Sequence, residues 1–476
     1  MTLYLGLLLA YSAGLIGMGL WLGRRVESAS AFFVADRRLG ALPVFATVLA
    51  ANIGAGSTMG AAGLGYRDGL SGWWWVGSAG IGTLFLAFWV GPRIWRVATR
   101  NGLYTVGDYL ELRYGRSVRA IIAALLWVGT PAILAGQLIA MSDIFEVVAG
   151  TPPWAGAFVG GVVITIYFTA GGLLTSAWVN LVQLVVLLVG FAVAVPWALG
   201  AAGGWGAVAA AAPPTGDYLN FWQGGQSGWM YLALLVPAFV ISPGLLQKAY
   251  GAIDERAIKV GLGAAGIALL LFAAAPPVLG MIARSLDPAL VNPEHALPTV
   301  FVLGLPVALG ALGLAAVFSA EMSSADAILF MLATSLSKDL YKRFLRPDAD
   351  EAEVLRVARW AALAGGVIGI GLAVVLPSVI AALSIFYALV GVSLFVPVAV
   401  GLYSRRPGVP EALASIVGGV AVLVALRFGL PAGTHVLLNP TLIALAASGL
   451  LFGVVFAVRR FLSETPDSLS DSGGPL

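Results

Sequence analysis

Apolar residues form long runs along the whole chain, separated by short polar segments. Thirteen of these runs are close to the ~20 residues that a helix needs to cross a lipid bilayer. The pattern therefore predicts an all-α polytopic membrane protein, with a tight connection at Gly171-Gly172 between the fifth and sixth spans. The predicted spans are 3–22, 42–65, 72–98, 118–148, 155–170, 173–199, 228–249, 258–283, 299–338, 354–376, 379–403, 409–428 and 440–458.

Composition favours one membrane domain over the two or three soluble domains that 476 residues would otherwise suggest. Hydrophobic residues make up 60% of the chain and charged residues 10%, whereas soluble domains average about 25% charged residues. We expect a transmembrane domain over 1–462 and a disordered tail over 463–476, which is rich in Ser, Pro, Asp and Gly. The first run lacks a preceding basic flank and a small-residue cleavage site, so we expect a retained span and not a signal peptide.

Basic side chains cluster in every second predicted loop, after spans one, three, seven, nine and eleven, and again after the last span. Lys248 is counted here with the loop after span seven. By the positive-inside rule, this asymmetry predicts an external N-terminus and a cytoplasmic C-terminus. We expect the protein in a bacterial cytoplasmic membrane. The net charge is only +3, and no basic tract is suited to nucleic acid.

Few side chains are available for metal or acid–base chemistry. The chain has no cysteine, which excludes disulfides and thiolate metal sites. Its two histidines, His295 and His435, fall in predicted loops beside prolines and give little support for a transition-metal site. A membrane-embedded enzyme would need clustered His, Asp or Glu, so we expect no enzyme and no organic cofactor. A membrane solute sensor is another class to consider. Because only about 15 residues follow the final predicted span, we do not expect the cytoplasmic signalling domain that a sensor would carry.

Polar side chains are concentrated in the ninth span, where residues 318–326 hold two acids and three serines. Polar groups inside a membrane segment are costly and usually handle an ion or a polar solute. Ala320, Ser323 and Ser324 have the i, i+3, i+4 spacing of one helix face. Two hydroxyls and one carbonyl there suit a hard cation such as sodium, which prefers oxygen ligands. Alternatively, the serines bond back to carbonyls of their own helix.

Glycines accumulate in the second span, at positions 54, 56, 60, 63 and 65, next to Asn52 and the Ser57-Thr58 pair. Each glycine weakens a helix by about 1 kcal/mol relative to alanine. A broken helix would free backbone groups in mid-membrane, where they can bind ions and solutes. Close helix packing through small residues is the alternative interpretation.

Several motifs, running in order from about 30 to 415, resemble the sodium:solute symporter family. None of these motifs is specific alone, but together they are. They are Ala50-Ala-Asn-Ile53, Tyr104-Thr-Val-Gly-Asp-Tyr-Leu-Glu111 with Arg113-Tyr-Gly115, Tyr167-Phe-Thr-Ala-Gly-Gly172, Asn180-Leu-Val-Gln183, Pro243-Gly-Leu-Leu-Gln-Lys248, the Ser323-Ser324 pair, Lys338-Asp-Leu-Tyr-Lys342 and Gly401-Leu-Tyr-Ser-Arg-Arg406 with Glu411-Ala-Leu.

The resemblance implies a LeuT-like fold with discontinuous helices and two inverted five-helix repeats, at about 42–199 and 228–403. It also implies sodium-coupled import of a small polar organic solute by alternating access, with sodium as the co-transported ion. A proton-coupled carrier of the same fold is an alternative. The partners expected are the solute and the bilayer, without an obligatory protein partner.

The family's main sodium site implies five ligands in this chain. They are the carbonyls of Ala50, Ile53 and Ala320 and the hydroxyls of Ser323 and Ser324. These groups belong to the same two segments that the polar pattern singles out.

The chain departs from many family members at Asn180, where Asp is common, and at Asp326, where Ser or Cys is common. Asp326 and Asn180 are therefore candidates for a second cation site or a substrate charge site, with Asp326 alternatively a proton carrier. The negative charge of Asp326 favours a zwitterionic or cationic solute, although carboxylates and sugars are not excluded as solutes. Alternatively, Asp326 has a structural role and pairs with a Lys or Arg. Glu321 lies about 100° around the helix from Ala320 and is expected to make a structural contact.

By family position, seven side chains are candidates for the solute cavity. For Trp74, an interfacial belt formed by Trp73-Trp74-Trp75 is the competing interpretation. Asn52 also stands where high-affinity choline transporters have an aromatic residue, which weakens a choline assignment. The candidates are Asn52, Ser57, Thr58, Trp74, Gln137, Phe239 and Tyr387.

Overall fold

The structure is a computed structural model that describes residues 2–23, 37–214, 216–429 and 439–464. Of residues 2, 16, 19, 20, 22, 23, 166–178, 463 and 464 it describes the backbone alone. Helices dominate this part of the chain. Those of the first half are α1 Thr2–Gly23, α2 Ala41–Asn52, α3 Ala61–Asp68, α4 Trp73–Phe85, α5 Gly91–Asn101, α6 Val106–Tyr114, α7 Arg116–Ala149, α8 Pro153–Ala201 and α9 Trp205–Ala210. Those of the second half are α10 Tyr231–Val240, α11 Pro243–Tyr250, α12 Glu255–Phe272, α13 Ala275–Leu286, α14 Ala296–Leu303, α15 Val307–Thr334, α16 Glu351–Val375, α17 Val379–Tyr403, α18 Val409–Gly429 and α19 Pro440–Glu464.

Shorter elements connect or extend these helices. A two-stranded antiparallel hairpin, β1 Gln223–Gly224 and β2 Ser227–Gly228, lies in the connection between α9 and α10. The π-helical turns are Gly56–Gly60, Leu86–Val90 and Ser335–Leu345, and the 3-10 turns are Gly69–Gly72 and Pro293–His295. Most of the predicted tail, from 465 on, lies outside the described residues, as does His435.

The prediction of an all-α polytopic membrane protein is confirmed. Among the described residues, ten helical stretches are long and apolar enough to cross a membrane, and three shorter apolar helices accompany them. Each of the predicted spans overlaps one of these stretches, although Gly56–Asn101 overlaps both the second and the third predicted spans. The shorter three fall in the first, second and fifth predicted spans, at Leu3–Leu15, Ala41–Asn52 and Pro153–Thr165.

The predicted connection between the fifth and sixth spans is wrong. The backbone stays helical for 49 residues through α8, including both Gly171 and Gly172. Two glycines cost a helix only about 2 kcal/mol together. Unpaired backbone groups in an apolar surrounding cost several kcal/mol each, so continuing the helix is cheaper than interrupting it.

Two membrane helices are broken near their middles. α2 ends at Asn52, Ile53 is extended at φ −97° and ψ 99°, and helical bonding resumes in the turn that begins at Gly56. This is the predicted break in the second span. A second break, at Ile241-Ser242, separates α10 from α11 in the seventh span and was not predicted. Pro243 at the first position of α11 is a sequence signal that could have located it.

Helices α3 and α13 cross at very close range because glycines lie at their contact. A Cβ atom on Gly280 would lie 1.9 Å from the carbonyl oxygen of Ala62, and one on Gly65 would lie 2.2 Å from that of Pro277. The neighbouring atoms are backbone, which cannot rotate away. The two glycines therefore set the distance between α3 and α13.

We predict that Gly280→Ala lowers the midpoint of thermal unfolding of the purified protein in detergent. The methyl group would force α13 away from α3, and overpacking of this kind costs about 1–3 kcal/mol. Gly371→Ala is the matched control, because a Cβ at that helical position meets nothing within 4 Å. An unchanged midpoint for Gly280→Ala would contradict the close crossing.

Candidate functional site

Five oxygen atoms meet where the first broken helix touches α15. The Ser323 hydroxyl lies 2.9 Å from the carbonyl oxygen of Ala50 and 3.0 Å from that of Ala320. The Ser324 hydroxyl lies 3.1 Å from the carbonyl oxygen of Ile53 and 3.3 Å from that of Ala50. The structure thus brings together all five of the groups that the sequence singled out as sodium ligands.

This cluster has more acceptors than donors. Each serine hydroxyl carries one proton, so two protons face three carbonyl oxygens. The last carbonyls of α2 have no partner within their own helix. Ser323 does bond within α15, to Ala320, but both serines also reach across to α2. Bonding within α15 therefore does not account for the arrangement, whereas a cation would satisfy every oxygen.

Gly54 allows α15 to come this close. A Cβ on Gly54 would lie 2.3 Å from the Ser324 hydroxyl oxygen and 2.7 Å from Oε1 of Gln137. The same Oε1 accepts the N–H of Ala55 at 2.9 Å. Gln137, on α7, thus replaces one of the backbone bonds that the break removes, and it fixes the start of the second half of the helix.

A cavity of about 70 Å³ adjoins the five oxygens. On that measure it has room for roughly five water molecules. Gly54 and Ser324 belong both to its wall and to the oxygen cluster. Of the seven solute candidates, five line the cavity: Asn52, Ser57, Gln137, Phe239 and Tyr387.

Trp74 and Thr58 lie outside the cavity wall. The indole N–H of Trp74 donates to the carbonyl oxygen of Phe221 at 2.9 Å, and its ring packs against Trp222. Its neighbour Trp75 lines the cavity instead. Successive helical residues point about 100° apart, so a shift of one position selects a different environment.

Thr58 joins the broken helix to an acid on α15. Its hydroxyl donates to Oε1 of Glu321 at 2.7 Å and also lies 3.0 Å from the carbonyl oxygen of Gly54. Glu321 is fully buried, and its Oε2 has no hydrogen-bond partner among the described residues. The expected structural contact of Glu321 is therefore made with the segment that follows the break.

Sequence reasoning missed Lys248 as a cavity residue. It was counted with a basic loop, but α11 extends to Tyr250 and places Lys248 inside the bundle, 3% exposed, on the cavity wall. Lys248 is near enough to interact electrostatically with the buried Asp326, which is 2% exposed, but the two do not form a salt bridge within 4 Å. Asp326 does not line the cavity.

Asn180 is also fully buried, on α8, and does not line the cavity. Within the described part of the chain, neither polar atom of its side chain has a hydrogen-bond partner. Oδ2 of Asp326 shares that property. Both candidate residues of the second cation or substrate charge site therefore carry buried polar atoms without a hydrogen-bond partner among the described residues.

Comparisons with known proteins agree with this architecture. The model of the "Sodium:solute symporter family" matches residues 32–419. The sodium/pantothenate symporter of Escherichia coli is 29% identical over 467 residues, 92% of this chain and 94% of the relative. The sodium/glucose cotransporter of Vibrio parahaemolyticus is 24% identical over 467 residues, 88% of this chain and 84% of the relative.

Solved structures support the predicted LeuT-like fold. A sodium-coupled sialic acid symporter, solved in a substrate-bound outward-open state, matches with a TM-score of 0.80. It is 17% identical, and the match covers 96% of this chain and 98% of the other. The relatives are transporters and not enzymes, as the sequence predicted. Because the family model matches residues 32–419, well over half of the chain, the protein belongs to the sodium:solute symporter family.

Proposed function

We propose that the protein is a sodium-coupled symporter that imports a small polar organic solute by alternating access. The observation that carries this proposal is the cluster of five oxygens, which shares Ser324 and Gly54 with the solute cavity. In this proposal the protein resides in a bacterial cytoplasmic membrane, with its N-terminus outside and its C-terminus in the cytoplasm. This orientation counts the two halves of the 49-residue helix α8 as separate crossings, since at about 1.5 Å per residue the helix is longer than two bilayer cores. Residues 1–462 form one transporter domain.

Sodium binds between the two halves of the site. Its ligands are the carbonyls of Ala50, Ile53 and Ala320 and the hydroxyls of Ser323 and Ser324. A cation there joins the end of α2 to α15 and stabilises the conformation in which the cavity wall is complete. The two inverted repeats, about 42–199 and 228–403, each open with a broken helix, α2/α3 and α10/α11, which is the arrangement that transporters of this kind use for binding sites.

The membrane potential drives accumulation. Each positive charge that moves inward gains about 2.3 kcal/mol per 100 mV. At about 1.4 kcal/mol per decade, this is roughly 1.6 decades of solute accumulation per charge at that potential. Loss of sodium to the cytoplasm then frees α2 from α15 and releases the solute.

The solute carries a carboxylate, as organic acids and zwitterionic amino acids do. The preference for positive solutes treats Asp326 as the only buried charge beside the cavity, but the buried Lys248 is near enough to interact electrostatically with it. Lys248 lines the cavity and Asp326 does not. The ammonium group is thus available to a carboxylate in the cavity, and pantothenate, the solute named for the Escherichia coli relative, is a carboxylate.

In the proposed orientation, an ion-pair network lies at the cytoplasmic side and holds it closed. Arg119 at the start of α7 contacts Asp108 at 2.8 Å, Glu111 at 2.8 Å and Asp339 at 2.7 Å. Arg343 also donates to Glu111. Partial burial opposes ionisation of Glu111, but hydrogen bonds from Arg343 and Arg119 outweigh it and hold the pKa of Glu111 below its ordinary value. The network connects α6, α7 and the end of the ninth span.

We predict that Ser323→Ala and Ser324→Ala each raise the sodium concentration for half-maximal uptake by about tenfold or more, because losing a contact to a charged group costs about 1.5–3 kcal/mol. The measurement is uptake into proteoliposomes over a sodium titration. Ser319→Ala is the control, since its hydroxyl bonds to Tyr11 and Ala315, away from the cluster.

Unchanged sodium activation in both serine variants would exclude the ion site. Uptake that persists when sodium is replaced by potassium or choline and follows a proton gradient would favour the proton-coupled alternative. Glu321 is the residue that supports this alternative, because it is a buried carboxyl group with an unpaired oxygen beside the break.

We predict that Lys248→Gln combined with Asp326→Asn leaves the protein folded but abolishes uptake of its carboxylate solute. The solute is first found by thermal-shift screening, with and without sodium, against carboxylates, amino acids, quaternary amines and sugars. Each single substitution leaves a buried charge unpaired, which costs about 3–5 kcal/mol, whereas the double variant stays neutral. Wild-type uptake by a stable double variant would reduce Lys248 to a structural partner of Asp326.

We predict that Arg119→Gln opens the cytoplasmic side. The chain has no cysteine, so Ser335→Cys supplies a single thiol in the small cavity beside Asp339. Labelling of that thiol by N-ethylmaleimide should be about tenfold faster in Arg119→Gln, since ~1.4 kcal/mol changes a population tenfold. Arg116→Gln is the control, because its side chain is 72% exposed and its distance to Glu111, 3.7 Å, is longer than any of the three contacts of Arg119. Equal labelling rates would exclude a gating role for Arg119.

A further inference from the structure

Three metal-ligating side chains converge at a point that the transport mechanism does not use. Asp143 and Glu146 lie at i and i+3 near the end of α7, so they share one face of that helix. His295 faces them from the 3-10 turn Pro293–His295. Its Nε2 lies 3.4 Å from Oδ1 of Asp143 and 3.8 Å from Oε2 of Glu146. The three ligand atoms all lie within 4.8 Å of one another.

The cluster holds a buried polar atom that lacks a partner. Asp143 is 6% exposed, and its Oδ2 accepts no hydrogen bond from the described residues. Nε2 of His295 is likewise buried and not in hydrogen-bond geometry with either acid. A buried charge without a partner is costly, so an ion pair between His295 and the two acids leaves Asp143 only half satisfied.

We propose that Asp143, Glu146 and His295 form a binding site for a divalent transition metal of the zinc class. Zinc takes nitrogen and carboxylate ligands at about 2.0–2.2 Å in a tetrahedron. Two such ligands are separated by about 3.4 Å, the edge of that tetrahedron, and the two distances from His295 are 3.4 and 3.8 Å. Three protein ligands leave the fourth position for water.

The position of the site gives the metal a restraining role. Glu294, next to His295, accepts the N–H groups of Val379 at 2.9 Å and Ile380 at 3.3 Å, at the start of α17. The turn 293–295 therefore already holds α17, and a metal would tie α7 to the same turn. α7 carries Gln137 and α17 carries Tyr387 into the solute cavity. In the proposed orientation the site faces outside, so external metal would slow the movements that uptake requires.

The direct test uses Co²⁺, whose visible absorption reports tetrahedral nitrogen and oxygen ligands. The full chain is purified without a polyhistidine tag and titrated in detergent. We expect one Co²⁺ per chain, displaced by Zn²⁺, and binding about tenfold weaker or worse in His295→Gln and Asp143→Asn, each of which removes a ligand. His435→Gln is the matched control, because His435 is the other histidine of the chain.

Equal Co²⁺ binding by wild type, His295→Gln and Asp143→Asn would overturn the site, as would the absence of tetrahedral binding in the wild type. Thermal unfolding of each variant in the absence of metal shows whether it is folded, and Glu146→Gln provides a third ligand variant. The Co²⁺ titration measures binding alone, so its outcome does not depend on the proposed transport function.

The second arm rests on the proposed transport function. External Zn²⁺ should reduce sodium-driven uptake by wild type and His435→Gln but not by His295→Gln. Equal inhibition of all three would overturn the restraining role. Failure of uptake in every variant, with Co²⁺ binding intact, would count against the transport proposal alone.

Discussion

The interruption of the second membrane helix between Asn52 and Gly56 is the constraint on which the site depends. Inside a bilayer, every backbone polar group needs an internal partner. The break removes such partners at the end of α2 and at the start of the turn that follows. Ser323 and Ser324 from α15 lie against the freed carbonyls, and Gln137 from α7 accepts the N–H of Ala55. The hydrogen bonds that satisfy the groups freed by the break thus connect the second span to α15 and to α7.

Buried charge imposes the second constraint. Lys248 and Asp326 lie in the interior, and their mutual attraction offsets part of the cost of removing each from water. Of these two side chains, only that of Lys248 reaches the cavity wall. In the proposed mechanism, a solute would meet the ammonium group of Lys248 and not the carboxylate of Asp326. In that mechanism, Asp326 would act on the solute only through its electrostatic interaction with Lys248.

Local signals in the sequence predicted much of this site. The glycines near Asn52 indicated the break, and the spacing of Ala320, Ser323 and Ser324 indicated the oxygen-bearing face, because both depend on neighbours within one helix. The prediction of solute-contacting residues was less accurate at Trp74. The next residue, Trp75, lines the cavity, whereas Trp74 bonds to Phe221 outside it. The placement of Lys248 failed because the length of a helix after a break cannot be judged from hydropathy alone. His295 and Asp143 are separated by about 150 residues, and only the packing of the fold brings them together.

The proposed ion and solute need no long relay between their sites. Ser324 lies 3.1 Å from the carbonyl oxygen of Ile53 and also lines the solute cavity, and Gly54 belongs to both walls. A cation that fixes Ser324 against the end of α2 therefore orders a surface that the solute uses. Coupling between two ligands is reciprocal, so a solute that orders the same surface strengthens ion binding by the same free energy. With a shared wall, the coupling free energy would follow from the contacts of these few residues. In the proposed mechanism, the broken helix therefore contributes to the ion site, to the solute site and to the coupling between them.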